Sequence, residues 1–452
     1  MSDPSVETFG YRQELKRSLG LGDLLVYGLI FIVPGAPISV FGIVFNASGG
    51  MVPLVYIVGA VAMLFTAASY VTMSRHYPVA GSVYAYAGRA IGEKVGFLAG
   101  WIMLLDYLLL PTLIYILCAV AVHAVVPDVP KVVWIVGFVA MNTIFSIRGM
   151  EATARLSMVL LAMQVAGLVA FMVMAAIALT HGHHGAHLST KPFLNLEIAT
   201  PSLIFGALSL AVLSFLGFDA ISTLAEEAKG GAAAVGRATY LSLLLTAVIF
   251  VVLTYAASLF VLDQVRFPAG DRTEAAFYDI AFDVGGGWLK WLLTIPGVLF
   301  AGLPGALAAQ VATSRLLFSM ARDGRLPRAL AHVSPTHHVP DRAALFVSAI
   351  TLLLGLVMAA HLELLTSMVN FGALAGFLLL HVSVVAHVLR SDRAERNWTS
   401  LVVAVIGFAI IGYVMINLHD TAKIMGAIWL GAGVALLGYR VHVARRAEVR
   451  SA

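Results

Sequence analysis

The stretch GLIFIVPGAPISV, residues 28–40, interrupts a long apolar run near its middle. Its centre, Val33-Pro34-Gly35-Ala36-Pro37, lies about twelve residues into a run that begins at Leu21. Proline removes a backbone donor and clashes with the preceding helical turn, so the helix is expected to break here. A break in the middle of an apolar helix predicts a membrane span with exposed backbone groups at the bilayer midplane, which is typical of a transport site.

A second break is predicted in SFLGFDAIS, residues 214–222, where Gly217 and Asp219 interrupt the sixth apolar run. The second break lies five spans after the first, and this odd number predicts a second unit inserted from the opposite side of the membrane. We therefore expect two inverted repeats of five spans, about 22–180 and 201–389, with two appended helices at about 399–442. The alternative for each break is an ordinary kink whose backbone groups are satisfied by neighbouring helices.

The composition of the whole chain supports a membrane protein. Of its 452 residues, 60% are hydrophobic and 12% are charged, and the mean hydropathy is +0.93. A span needs about 18 or more apolar residues. Twelve such spans are predicted, within one polytopic domain over 1–452: 22–46, 51–74, 90–121, 131–147, 152–180, 202–227, 237–262, 288–318, 343–360, 363–389, 399–417 and 423–442. The residues before Tyr11 have no apolar signal-peptide core, and Cys118 alone can form no internal disulfide.

The basic residues predict the orientation of the chain. With both termini in the cytoplasm, 22 of the 28 lysines and arginines fall on the inside, as the positive-inside rule requires. The remaining six, on the outside, are Lys131, Lys191, Arg266, Arg272, Lys290 and Lys423. The basic residues form no dense patch, so no nucleic-acid partner is expected.

Two acidic residues are expected near the bilayer midplane, where burial of a charge is costly and indicates function. Asp106 lies about 18 Å along its helix from Glu93, and Asp219 lies in the second break. The alternatives are a structural hydrogen-bond hub for Asp106 and a helix cap for Asp219. Glu226 and Glu227 follow two turns later, as coupling or gating candidates or as solvated or salt-bridged groups.

Aromatic residues accompany both acids. Tyr107 adjoins Asp106, and Phe215 and Phe218 flank Gly217, so these rings could stack on an ammonium group. Packing or lipid contact is the alternative for each. The acids and rings together favour a cationic substrate, whose site would include Gly35 and Ala36. Two prolines at the first break remove amide donors that a substrate carboxylate would need. This favours a substrate that has no carboxylate.

Other chemistry has little support in the sequence. His181, His183, His184 and His187 lie in one loop and could hold a metal, but a solvated, variable loop is the simpler interpretation. The chain contains no nucleophile elbow, zinc-protease motif or phosphate-binding loop. No enzyme activity, resident metal or cofactor is expected.

Several motifs resemble the amino acid–polyamine–organocation superfamily, and within it bacterial putrescine importers. The motifs, in family order along nearly the whole chain, are His76-Tyr77-Pro78, Ala80-Gly81-Ser82-Val83-Tyr84-Ala85-Tyr86, Gly96-Phe97, Gly100-Trp101, Leu105-Asp106-Tyr107, Ser214 to Asp219, Ser314 to Leu317, Arg322-Asp323 and Asn370 to Leu374. The resemblance implies an all-α fold of the leucine-transporter type, ion-driven uptake by alternating access, and a site lined by spans one, three, six, eight and ten.

Two departures from the family pattern affect the expected substrate and coupling. The first break lacks the Gly-x-Gly pattern of amino-acid members, and Gln164 stands on the fifth span where several proton-coupled relatives have a lysine. Because glutamine cannot titrate, proton coupling would have to use a carboxylate. We expect a proton-coupled putrescine or diamine importer of the bacterial cytoplasmic membrane, monomeric or homodimeric. The alternatives are an amino-acid permease, an amine/amino-acid exchanger, or a sensor on the same scaffold.

Overall fold

The computed structural model describes residues 17–79, 81–125, 128–148, 154–182, 186–268, 270–392 and 396–451, and these are helical throughout apart from their connections. The α-helices are α1 Leu21–Ile32, α2 Ala36–Ser48, α3 Val52–His76, α4 Ser82–Ala90, α5 Glu93–Val125, α6 Lys131–Arg148, α7 Ala154–Thr180, α8 Pro201–Phe215, α9 Gly231–Ser258, α10 Asp271–Gly285, α11 Gly287–Phe300, α12 Ala306–Arg322, α13 Asp341–Met358, α14 Leu362–Arg390, α15 Trp398–Ile416 and α16 Asp420–Ser451. Within the described ranges, β-structure is limited to one backbone bridge between Leu19 and Ala228.

The predicted set of spans is confirmed. Eleven described helical segments are long and apolar enough to cross a membrane, and the bent pair α1 and α2 supplies a twelfth. Most boundaries agree with the sequence to within a few residues; the seventh span, expected from 237, begins at Gly231. The spans formed by α15 and α16 are the least buried, at 22% and 17% of their apolar windows, so most of their surface is left for lipid.

The first break lies where the prolines predict it. Helix α1 ends at Ile32, α2 begins at Ala36, and the two axes differ by 42°. Val33 between them has φ of 57°, a left-handed conformation that is strained for a β-branched residue. Such strain is characteristic of functional segments.

The second break is longer than a single kink. After α8 ends at Phe215, the ten residues Phe218–Glu227 form a 3₁₀ helix, although runs beyond three or four residues are uncommon. Gly217 starts this segment with φ of 110°. A Cβ at Gly217 would lie 2.3 Å from the carbonyl oxygen of Phe31, so the two broken spans touch through a position that only glycine can occupy.

A third irregularity, in the eighth span, was not expected from the sequence. Between α11 and α12, Ala301–Gly305 forms one π-helical turn that contains Pro304. Proline lacks the amide for the regular helical bond, and π-turns are frequent at functional sites. A Cβ at Gly305 would lie 3.2 Å from Val33 Cγ2, so this turn faces the first break.

Two short α-helices, α4 and α10, and the 3₁₀ helix Arg328–Ala331 lie outside the spans. Helix α4 connects the second and third spans, and α10 lies in the connection between the seventh and eighth spans. Helix α10 is amphipathic, with Phe277 buried against Phe41 of α2 at a ring separation of 5.6 Å. Gly42 of α2 allows this packing, because a Cβ there would lie 2.1 Å from the Thr273 carbonyl oxygen. Helix α10 therefore covers the end of α2.

Candidate functional site

A small cavity joins the two breaks and holds both midplane carboxylates. Its lining residues are Phe31, Asp106, Tyr107, Leu110, Ile114, Gly217, Asp219, Ala220, Gly305, Ala309 and Ala312. They come from the first, third, sixth and eighth spans, four of the five that the resemblance implies. The space of about 20 Å³ is little more than the roughly 10–15 Å³ that one water needs. The walls would have to separate to admit an organic molecule.

Asp219 is held from two sides. The Tyr107 hydroxyl donates to Asp219 Oδ2 at 2.6 Å, and the Gly217 amide donates to Asp219 Oδ1 at 3.3 Å. Gly217, not Asp219, is the N-cap of the 3₁₀ segment, so this amide contact differs from the helix cap considered from sequence. Asp219 still bonds the start of the unwound segment and lines the cavity. Tyr107 is held in turn by Thr313 of α12, which donates to its carbonyl oxygen.

Asp106 is buried, with 1% of its surface exposed, and its Oδ1 atom accepts no hydrogen bond from the part of the chain that the structure describes. Gly372 of α14 packs against it, since a Cβ there would lie 2.7 Å from the Asp106 amide nitrogen. A buried carboxylate oxygen without a donor is costly, and a cationic ligand would compensate for it. The close approach of Gly372 to the Asp106 backbone is the contact by which the tenth span supports the site.

The flanking phenylalanines lie beside the cavity rather than in its wall. Phe215 packs with Tyr56 and Phe250, at ring separations of 5.8 and 5.2 Å. Phe218 packs with Tyr70 and Phe377, at 5.9 and 5.5 Å. Both rings are fully buried in these clusters.

Besides Tyr107, the aromatic ring that lines the cavity is Phe31, two residues before the first break. Sequence reasoning missed it, because a phenylalanine in an apolar run has no contrast with its neighbours. Its only available signal was its position two residues before Val33.

Gly35 and Ala36 form the start of α2, outside the cavity lining. Gln164 of α7 packs against this break: a Cβ at Gly35 would lie 2.6 Å from Gln164 Nε2. The Gln164 Oε1 atom is buried and accepts no hydrogen bond among the described residues. The fifth span therefore places a neutral amide next to the first break.

Glu226 and Glu227 tie the 3₁₀ segment to α12. Glu226, 1% exposed, pairs with Arg322 at 2.9 Å, and Glu227 pairs with Arg315 at 2.6 Å. The salt-bridged alternative from sequence is therefore the observed one. The backbone of Glu227 also accepts from the amides of Ser18 and Leu19, which fastens the start of α1 to the same place. These contacts close the end of the bundle at which α1 begins.

The lining has a clear electrostatic character. It contains two carboxylates, two aromatic rings and small or aliphatic side chains, and none of the lining residues is lysine, arginine or histidine. Such a surface suits a small organic cation with an apolar portion.

The structure describes the histidine-containing loop at its two ends, 181–182 and 186–187. Within the residues that the structure describes, no group of three or more His, Cys, Asp or Glu side chains could hold a metal ion. His183, His184 and Gly185 lie outside the described residues. His181 hydrogen-bonds the Ile177 carbonyl oxygen through Nδ1, at 2.7 Å.

Comparison with known proteins identifies the family. Residues 24–428 match the family model described as amino acid permease. The chain belongs to the amino acid permease family. This permease is 33% identical over 436 residues to the low-affinity putrescine importer PlaP of Escherichia coli (strain K12), with 94% of each chain covered. It is a transporter and a multi-pass bacterial membrane protein, and the expectation that it is not an enzyme is confirmed.

Other relatives of the permease are named for different substrates. It is 26% identical to the branched-chain amino acid permease BcaP of Bacillus subtilis (strain 168), covering 94% of this chain and 93% of the relative. It is 25% identical to the methylthioribose transporter of the same organism, covering 93% and 92%. The family therefore includes proteins named for an amine, an amino acid and a sugar derivative.

Proposed function

We propose that this permease imports putrescine or a related small diamine across the bacterial cytoplasmic membrane by alternating access, coupled to protons. The observation that carries the proposal is the pair of buried carboxylates, Asp106 and Asp219, in one cavity whose lining has no basic side chain. Similarity to a putrescine importer over nearly the whole chain supports the same substrate class.

The two carboxylates suit the two ends of a diamine differently. Asp219 already accepts two hydrogen bonds, so an ammonium there would add to an existing network. Asp106 Oδ1 has an open acceptor position among the described residues, which the second ammonium could fill. Leu110 and Ile114 supply apolar surface for the methylene chain, and Phe31 supplies a ring.

An amino-acid substrate fits this cavity less well. Its carboxylate would lie in a lining that already contains Asp106 and Asp219, where like charges repel. Pro34 and Pro37 also reduce the free amides at the first break. The similarity to a branched-chain amino acid permease is nevertheless the observation that favours an amino-acid permease as the second candidate.

Closure at both ends supports alternating access. The Glu226 and Glu227 ion pairs close one end of the bundle, and α10 packed on α2 closes the other. A cavity of about 20 Å³ between two closed ends is consistent with a contracted, occluded site. Substrate entry would require α10 to move, and release would require the ion pairs to separate.

Proton coupling would use the site carboxylates. Gln164 beside the first break cannot titrate, and Asp106 and Asp219 are the acidic residues of the lining. We also propose that both termini face the cytoplasm, from the distribution of basic residues. A single domain made of two inverted repeats remains part of this proposal.

The deciding experiment compares Asp106→Asn and Asp219→Asn in proteoliposomes. Each variant should reduce radiolabelled putrescine uptake at least about tenfold, because a lost charge-assisted hydrogen bond contributes roughly 1.5–3 kcal/mol. Asp420→Asn is the control, since Asp420 is an exposed carboxylate at the start of α16 paired with Lys423. Normal uptake in both site variants would contradict a two-carboxylate site.

A thermal-shift panel separates the two candidate substrate classes. Putrescine should raise the melting temperature of the wild-type protein in detergent, and it should do so less in the two Asn variants. Stabilisation by arginine, leucine or alanine, without stabilisation by diamines, would favour the amino-acid permease instead.

A further inference from the structure

The π-helical turn Ala301–Gly305 receives a side-chain hydrogen bond from a neighbouring span. Asn142 of α6, which is fully buried, donates from Nδ2 to the Gly302 carbonyl oxygen at 2.8 Å. The same nitrogen donates to the Phe138 carbonyl oxygen at 3.1 Å, one turn earlier in α6. Because both partners are carbonyl oxygens, which only accept, the nitrogen of the Asn142 amide must face the turn.

The backbone pattern of the turn explains why Gly302 takes a donor from another helix. In an α-helix the Ala306 amide would bond the Gly302 carbonyl oxygen, four residues back. Here the Ala306 amide bonds the carbonyl oxygens of Ala301 and Leu303 instead. Buried backbone carbonyl groups are almost always paired, so the Asn142 amide replaces the α-helical donor that the π-turn withdraws from Gly302.

Asn142 is kept in this place at a cost. Its Oδ1 atom is buried and accepts no hydrogen bond from the part of the chain that the structure describes. A buried amide oxygen without a donor is unfavourable, and a leucine of similar size would avoid that penalty. The protein thus retains a costly polar side chain whose nitrogen is bonded to the turn, which indicates that the position of the turn matters.

The turn lies between the neighbouring helices and the first break. On one side, a Cβ at Gly302 would lie 2.9 Å from Phe138 Cε1 and 3.0 Å from Cys118 Sγ, so the turn packs directly on α6 and α5. On the other side, Gly305 lines the substrate cavity, and a Cβ there would lie 3.2 Å from Val33 Cγ2. A shift of the turn away from α6 would therefore also move the wall of the cavity.

We propose that Asn142 is a positioning residue, which fixes the π-helical turn and thereby sets the fit of the cavity wall at Gly305 around the substrate. This role rests on the proposed diamine site and adds a determinant of its selectivity. Asn142 itself lies outside the lining of the cavity and acts through the turn. With the bond in place, Gly305 stays close to Val33, and the cavity stays narrow enough to select an unbranched methylene chain. Without the bond, the turn can move and the wall relaxes.

The first test measures transport by Asn142→Leu, which keeps the size of the side chain and removes its amide. In proteoliposomes, the KM for radiolabelled putrescine should rise about two- to tenfold, the factor for one lost hydrogen bond, with Vmax per folded transporter within about twofold of wild type. The KM for cadaverine, one methylene longer, should rise less, because a relaxed wall accommodates a longer chain. A purely structural role would lower the melting temperature and the amount of active protein, but would leave both KM values unchanged.

Thr143→Val is the matched control. Thr143 follows Asn142 on α6 and donates to Ser348 Oγ of α13 at 2.8 Å, so this variant loses a bond between helices of equal length away from the turn. It should leave both KM values within about twofold of wild type, because neither partner touches the π-helical turn or the cavity lining.

Gly302→Ala displaces the same turn while keeping Asn142, and it serves as the second variant if Asn142→Leu does not fold. The new Cβ would meet Phe138 and Cys118 and press the turn toward the first break. A tighter cavity should raise the KM for cadaverine more than the KM for putrescine, which is the opposite order to that expected for Asn142→Leu.

The sole native cysteine provides a readout that needs no substrate. The Cys118 thiol is 3% exposed and lies against Gly302. Alkylation of Cys118 by the membrane-permeant reagent N-ethylmaleimide should become about two- to tenfold faster in Asn142→Leu, since the freed turn uncovers the thiol more often. In Thr143→Val the rate should stay at the wild-type value.

Three results would each overturn the positioning role of Asn142: unchanged KM values in Asn142→Leu, an equal rise of KM in Thr143→Val, or equal labelling of Cys118 in these two variants. Absence of saturable putrescine uptake by the wild-type protein would overturn the proposed function instead. Labelling of Cys118 would then decide by itself whether Asn142 fixes the turn.

Discussion

Removal of the Asn46 side-chain amide should open the end of the bundle that α10 covers. Asn46, near the end of α2, makes two hydrogen bonds to the backbone of Phe267, in the segment before α10. Its Nδ2 donates to the Phe267 carbonyl oxygen at 2.9 Å, and its Oδ1 accepts from the Phe267 amide at 2.8 Å. The Phe45 and Phe267 rings pack alongside, 5.0 Å apart. These two hydrogen bonds join α2 to the segment before α10 in the closed arrangement.

The size of the effect follows from these two bonds. Each neutral hydrogen bond contributes about 0.5–1.5 kcal/mol net, so Asn46→Ala should favour the open arrangement by about 1–3 kcal/mol. This corresponds to a change of roughly 5- to 150-fold in the ratio of open to closed molecules. Asn46→Asp should also favour the open arrangement, because it keeps the acceptor for the Phe267 amide but places a second acceptor oxygen against the Phe267 carbonyl oxygen.

Cysteine labelling measures the opening. In a Cys118→Ala background, which removes the sole native cysteine, Ile280→Cys places a thiol at a position on α10 that is 3% exposed. A membrane-impermeant maleimide should react with it faster after Asn46→Ala, by about the factor calculated from the two bonds. Asn417→Ala is the control, since the Asn417 amide donates to the Tyr413 carbonyl oxygen and accepts from Ser202 of α8, neither of which belongs to α10. A labelling rate unchanged by Asn46→Ala would refute the role of this contact in closure.

Two further substitutions test the contacts around the breaks. Gly217→Ala should lower the melting temperature in detergent and reduce uptake, because the new Cβ would lie 2.3 Å from the Phe31 carbonyl oxygen. The φ of 110° at this position adds a backbone strain of about 1–3 kcal/mol or more. Gly137→Ala is the control and should be neutral or stabilising, because a Cβ at Gly137 would meet nothing within 4 Å. Equal melting temperatures for the two variants would show that the breaks do not touch. Glu226→Gln should destabilise the protein by about 3–5 kcal/mol, because it disrupts a buried ion pair with Arg322. The double variant Glu226→Gln/Arg322→Gln should recover part of that lost stability in the same melting assay. No recovery would mean that the two side chains act independently.

The candidate site was only partly predictable from sequence. Asp106 and Asp219 stand out because a carboxylate in an apolar run contrasts with every neighbour, and Gly217 and Tyr107 adjoin them. Phe31 has no such contrast and was missed. Phe215 and Phe218 are on the expected segment, but Phe215 ends α8, Phe218 begins the 3₁₀ helix, and both rings point into aromatic clusters that only the packing of the helices defines.

The amino-acid sequence by itself determined the membrane location, the positions of the twelve spans and the first break. Span length follows from bilayer thickness, and the break follows from the missing amides of Pro34 and Pro37, so neither depends on distant contacts. Only the tertiary structure decided the π-helical turn at Ala301–Gly305, the cover formed by α10 and the meeting of Asp106 with Asp219. These features depend on which helices pack together, and residues more than a hundred positions apart in the chain meet only through that packing.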